Sequence, residues 1–317
     1  MSQRYLNAIQ KTDAQMKVKE TEAIAQIEGH LLQKYLLLEK HLFRVYGDYS
    51  ADALPNLLPN QRSLLLSEEL KEHLILLKPS VWSSVQDALG WLLQVAAAAG
   101  TTLSAALMQL ITGVRSPSAK AMMRVEILTI AAERAYDRVL KHCMSFADKA
   151  IALLTQGLIQ NQGVKRVATS IRQQLGILKR KLTALVSNEA MVMLNQAAQH
   201  NYRASEIEYF MSISVGDSSV CPVCVARNLQ VYRIDEASLP WHVLCRCYEL
   251  PWSPEWEKNG LIDREWLEGL YAETLAALAA TGRKLDNGLT ASEIAIGAAI
   301  APVWTLKHGY IIKAVTA

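Results

Sequence analysis

Apolar residues recur at spacings of three and four along most of the chain, which is the period of an amphipathic helix and sets the expected architecture. Ile24, Ile27, Leu31, Tyr35, Leu38, Leu42 and Val45 share one face of a long helix expected over residues 3–46. Lys17, Lys19, Glu20, Glu22, Glu28 and Lys40 fall mostly off that stripe, so the apolar face should meet a core or a partner. Gly47 to Ser63 contains a glycine, two prolines and several Asn and Asp residues and reads as a connecting loop. A short helix is expected from Ser67, its cap, to Leu77.

Between Asp87 and Arg115 no residue is charged, a run of membrane-spanning length. Gln94, Thr101, Thr102, Ser104, Gln109 and two internal glycines interrupt it, so a membrane span is not expected. A buried helix pair or an oligomer interface is expected instead, broken at Gly100-Thr101-Thr102. Ser116 before Pro117 marks the next helix start. That helix runs to about Leu154, with Met122, Val125, Leu128 and Ala132 on one side. It carries Cys143 beside His142; neighbours on a helix point in different directions, so Cys143 reads as a packed thiol rather than a nucleophile.

Charge changes the picture in one region. The 317-residue chain has a net charge of +3, too weak to imply nucleic acid by itself, and its 51% hydrophobic content describes a globular protein. From Lys149 to Asn188, however, there is no Asp or Glu. Ile171, Leu175, Leu178, Leu182 and Leu185 form an apolar seam, while Lys165, Arg172 and Lys179 repeat every seven residues on its flank. Together with Arg166, Arg180 and Lys181 they make a cationic edge that could meet a phosphate backbone; a solvated flank balanced by acids elsewhere is the plainer alternative.

Four of the five cysteines lie between Cys221 and Cys247, spaced C-x2-C, then seventeen residues, then H-x2-C-x-C. Two close pairs of soft ligands joined by a short segment suit one tetrahedral metal ion, most simply zinc. Cys221 and Cys224 are the firmest candidates, and His242 with one of Cys245 and Cys247 would complete the shell. The polar, charged start MSQRYLNAIQKTDAQ does not read as a signal peptide, which favours reduced thiols over disulfides. No histidine begins H-x-E or H-E-x-x-H, so a structural ion is expected and an enzyme is not. Asp217 can brace the turn that presents Cys221, and Arg246 can pair with Glu189 or Asp217.

The order of these features resembles the head-morphogenesis family of tailed bacteriophages, minor capsid proteins similar to the F protein of phage Mu. A helix with Glu189, Asn195, Ala198 and Tyr202 leads to the expected strand EYFMSISV, then Asp217, C-P-x-C and H-x2-C-R-C. The chain keeps Glu189, Asp217, Cys221, Pro222, Cys224, Pro240, His242, Cys245, Arg246 and Cys247. It departs at Ser187 and Asn188, where the family has Arg-Thr, at Arg227-Asn228-Leu229, where a glycine is common, and at Val243, where the closing motif has a second proline. The match spans roughly residues 168–252.

The expected fold is mainly α: an elongated helical protein with a small zinc-stabilised α+β module near residues 205–252. Four regions are expected: helical 1–160, a basic helix over 161–204, the module over 205–252, and a helical tail over 253–317. The tail should include a helix from about Asp263 to Ala280 that stops at Gly282, followed by an apolar end that docks on this chain or a neighbouring subunit. The resemblance implies a structural virion component that binds the portal protein inside the capsid at the portal vertex and meets major capsid or scaffolding protein. It would be made in the host cytoplasm, with oligomerisation and contact with double-stranded DNA as further candidates. A zinc-ribbon nucleic-acid-binding protein acting in the cell is the alternative.

Overall fold

A computed structural model describes residues 2–49, 53–76, 82–113, 125–215 and 221–280. In chain order the elements are α1 (Ser2–Asp48), α2 (Pro59–Leu76), α3 (Trp82–Thr112), α4 (Val125–Ile159), α5 (Val164–Ala204), β1 (Tyr209–Ser214), α6 (Pro222–Arg227), β2 (Val231–Arg233), β3 (Cys247–Trp252), α7 (Pro254–Lys258) and α8 (Arg264–Ala280). Among the described residues the fold is mainly helical, as the periodicity implies, with one small sheet. Pro79, Ser80, the Ser116-Pro117 boundary, Met122, Asp217 and everything from Gly282 onward lie outside the described residues.

The chain forms two compact units. One takes residues 1–19, 93–128 and 187–317, and the other 20–92 and 129–186. In the second unit the seam of α5 is buried at Ile171, Leu178 and Leu182, and Ile171 joins a cluster with Val45, Tyr46, Leu66, Leu154 and Leu158. Ile27 and Val45 are buried as the α1 pattern requires and Ile24 is half-buried; the side chains of Leu31, Tyr35, Leu38 and Leu42 are outside the described set. Glu20 corrects the sequence reading: it lies on the buried stripe of α1, not off it.

Two helix boundaries also differ from expectation. The α2 helix begins at Pro59, so the last five residues of the expected loop are helical and Ser67 sits inside the helix rather than at its cap. Proline fits a first helical position because its missing N–H would have had no intrahelical partner there. Just before it, the Leu58 N–H donates to Gln61 Oε1 at 2.9 Å. The second difference is α3, which runs unbroken through Gly100-Thr101-Thr102. It is long and apolar enough to cross a membrane, yet its residues separate into two faces. Leu89, Leu93, Ala96, Leu103 and Leu107 are buried, while Gln94, Thr102 and Gln109 face outward. That division is what a core helix needs.

Gly100 is not a break but a point of close approach. A Cβ there would collide with the backbone carbonyl of Leu194 on α5. Four residues on, Ser104 Oγ accepts a hydrogen bond from Asn201 Nδ2 at 2.7 Å, fixing the same pair of helices with buried polar atoms.

In the first unit the sheet is antiparallel, in the order β2-β1-β3, with Met211 opposite both Val231 and Leu250. Every residue of β3 is buried, and α5 covers it through side chains three and four residues apart. Asn195 Nδ2 donates to the Cys247 carbonyl at 3.3 Å, Gln199 Nε2 to Glu249 Oε1 at 2.9 Å, and Tyr202 Oη to the Glu249 carbonyl at 2.8 Å. The module does not make its core alone. Ala198 and Tyr202 of α5 and Met108 of α3 pack in one cluster with Phe210, Tyr232 and Trp241.

Gly100→Ala tests the helix crossing. On an isolated helix this change stabilises by about 1 kcal/mol. Here the clash should reverse the sign and cost roughly 1–3 kcal/mol, read from urea denaturation midpoints, because the obstacle is backbone.

Candidate metal centre

The cysteines are presented by two turns. Cys221 is the residue before α6, with Pro222 at the first helical position, and the Val225 N–H donates to the Cys221 carbonyl at 3.0 Å. One turn of helix therefore brings the Cys221 and Cys224 sulfurs to 3.6 Å. The second turn closes when the Cys245 N–H donates to the His242 carbonyl at 3.1 Å, with Leu244 in the left-handed region at φ 64°. It carries His242 Nε2 to 3.0 Å from Cys221 Sγ and 3.1 Å from Cys224 Sγ, and Cys245 Sγ to 3.7 Å from Cys224 Sγ.

Packing holds both turns in place. Trp241, next to His242, is buried against Tyr232 and donates through Nε1 to Ser212 Oγ at 3.2 Å, while the Arg227 guanidinium lies 4.5 Å from the centre of its indole. The end of α6 is tied to β1: Asn228 Oδ1 accepts from the Ser214 N–H at 2.7 Å, and the Leu229 N–H donates to the Ser212 carbonyl at 2.7 Å.

The cluster can hold a metal ion. Cys221, Cys224 and His242 form one compact set of donors, Cys224, Cys245 and Cys247 another, and Cys224 is common to both. All four of these cysteines are free thiols, so the pairs are not bridged. Electrostatics points the same way. The Cys221 thiol is lowered to about 5, through its hydrogen bond with Cys224 and against the effect of burial, with His242 assisting. Cys245 is also lowered, despite burial, by its sulfur neighbours and His242. Burial works against protonating His242, yet the Cys221 and Cys245 thiolates raise it to about 11. Cys224, through its hydrogen bonds with Cys221, Cys245 and Cys247, and Cys247 are by contrast raised, so the negative charge sits on Cys221 and Cys245, where a divalent ion would neutralise it. His242 Nδ1 lies 2.8 Å from the Val243 carbonyl, so the tautomer protonated at Nδ1 leaves the Nε2 lone pair facing the sulfurs.

No family model, curated protein or solved structure matches the chain.

The other residues singled out from the sequence lie apart from this cluster or outside the description. Asp217 is among the latter. Glu189 is buried on α5. Arg246 has a partner that local sequence does not reveal: it reaches Asp13 on α1, with Nε and Nη2 each 2.9 Å from Asp13 Oδ1. Asp13 could have been suspected, because it interrupts the buried series Tyr5, Ile9, Asp13, Met16 with a carboxylate at a core position. Lys165, Arg166, Arg172, Arg180 and Lys181 are exposed on α5, while Lys179 is partly covered and lies 3.7 Å from Glu28 of α1. Cys143 is a half-buried free thiol on α4, its pKa pushed up to about 12 by burial.

Cys221→Ser, Cys224→Ser and Cys245→Ser should each abolish stoichiometric metal binding measured by plasma mass spectrometry, whereas Cys143→Ser should leave it intact. Acid should release the ion. The Cys221 thiol has its pKa depressed on folding, so its contribution is present above about 9 and is lost as pH falls through about 5. A chromogenic chelator added during a downward pH titration reads the loss.

Proposed function

We propose that the protein is a structural minor head protein of a tailed phage, whose zinc-fastened module forms a rigid docking surface for the portal vertex inside the capsid. One observation carries the reading: the C-P-x-C turn and the H-x2-C-R-C turn meet in a compact donor cluster, on a sheet covered by the helix that precedes them. That is the order and arrangement which the resemblance to the head-morphogenesis family leads one to expect.

Zinc is the ion this donor set suits. At Zn–S of about 2.3 Å and Zn–N of about 2.05 Å, a regular tetrahedron has S–S edges of about 3.8 Å and S–N edges of about 3.6 Å. The Cys221–Cys224 and Cys224–Cys245 separations of 3.6 and 3.7 Å fit, the imidazole would retreat about half an ångström from its 3.0 and 3.1 Å positions, and Cys245 would join the compact set of Cys221, Cys224 and His242. Cys221, Cys224, His242 and Cys245 would be the ligands, with Cys247 as the remaining thiol behind them. When bound, the ion supplies cross-linking of two turns 21 residues apart, and the chain's own residues supply its orientation. With four protein ligands the site is closed, which supports a structural rather than a catalytic ion.

Zinc-dependent nucleic-acid binding in the cell is the second reading, motivated by the exposed Lys165, Arg166, Arg172, Arg180 and Lys181. The Lys179–Glu28 pair weakens it, since part of the cationic row is already balanced within the protein.

Affinity capture with the portal protein encoded by the same genome separates the two. The portal should be retained at moderate salt, and retention should be lost with the Cys221→Ser variant. Absence of portal retention, with DNA affinity falling steeply on a log–log plot against salt, would favour the second reading.

A further inference from the structure

Asp13 lies more than two hundred residues from the cysteine cluster in sequence, yet contacts Arg246 and Tyr248, which alternate with Cys245 and Cys247. Its side chain is 4% exposed, and its Oδ1 takes Arg246 Nε at 2.9 Å, Arg246 Nη2 at 2.9 Å and Tyr248 Oη at 2.8 Å. Arg246 Nη2 also reaches the Asp13 main-chain carbonyl at 3.4 Å, and Lys17 Nζ lies 3.0 Å from Oδ2 at the solvent side. Arg246 itself is only 9% exposed.

The contacts alternate along the segment. Residues 246 and 248 are drawn to Asp13, while the sulfurs of 245 and 247 gather with Cys224 on the other side. In extended chain, successive side chains point to opposite faces, so fixing one set fixes the other. A buried guanidinium that donates a hydrogen bond and makes an ion-pair contact to one buried carboxylate oxygen loses both if it swings away, at a cost of several kcal/mol.

We propose that Asp13 is a positioning residue of the metal centre: by gripping Arg246 and Tyr248 from behind, the N-terminal helix sets the direction of Cys245 and Cys247 and so the affinity for the ion. This rests on the metal reading given above. It makes the first turns of α1 part of the centre, although no ligand comes from them, and residues 205–252 alone would bind the ion weakly.

Zinc affinity is measured by competition with a chromogenic chelator on the full chain, and ligand geometry by the visible spectrum of the cobalt-substituted protein. Asp13→Asn and Arg246→Lys should each weaken binding about 10-fold or more, in line with loss of an outer-shell partner, and should shift the cobalt bands. Lys17→Ala should change neither, because that pair is half-exposed. A lowered melting temperature with unchanged affinity and unchanged cobalt spectrum in Asp13→Asn would assign the residue a purely structural role and overturn the proposal. A wild-type chain that binds no zinc would instead overturn the metal reading on which it rests.

Discussion

The decisive contact is the meeting of two turns, with His242 Nε2 at 3.0 and 3.1 Å from the Cys221 and Cys224 sulfurs and the Cys245 sulfur 3.7 Å from that of Cys224. Cys221 and Cys245 are held toward the thiolate and His242 toward its cation, while Cys224 and Cys247 are held toward the neutral thiol. Everything nearby serves that convergence. The single turn of α6 sets one pair of sulfurs, the tight turn at Leu244 brings the histidine and the next cysteine under them, and Trp241 wedges the second turn onto β1. A divalent ion would convert the repulsion among thiolates into a cross-link, which is how a small sheet gains stability that its area alone does not give.

The sheet is nevertheless not self-sufficient in its apolar contacts. Tyr202 and Ala198 enter its core from α5 and Met108 from α3, and Asn195, Gln199 and Tyr202 satisfy buried carbonyls and a carboxylate on β3. Burial pushes the Glu249 carboxyl up to about 8, and Gln199 and the Leu239 N–H hold it. The close crossing of α3 and α5 at Gly100 in turn determines where those side chains arrive. The candidate metal site, the sheet and the α3 and α5 residues of this unit therefore share one packed core.

Much of this was legible in the sequence, and the reasons differ by element. Long helices announce themselves because a 3.6-residue period sustained over many turns is hard to produce by accident. The ligand spacing is equally legible, since metal geometry tolerates few separations. The start of α2 and the continuity of α3 were misread for a shared reason: Pro59 and Gly100 are breakers in general but have specific uses, one at a first helical turn and the other at a helix crossing. Strand β3 carries no clean alternation because it is buried on both faces, and β2, at three residues, is too short to show one. The contact of Arg246 with Asp13 could not be read locally, since Asp13 is brought to it only by the tertiary fold.

Zinc-edge X-ray absorption on the purified protein probes the central claim most directly. The account predicts one zinc per chain in a four-coordinate shell of three sulfurs at about 2.3 Å and one imidazole nitrogen at about 2.0 Å. A chain purified without zinc, or a shell dominated by oxygen, would contradict it.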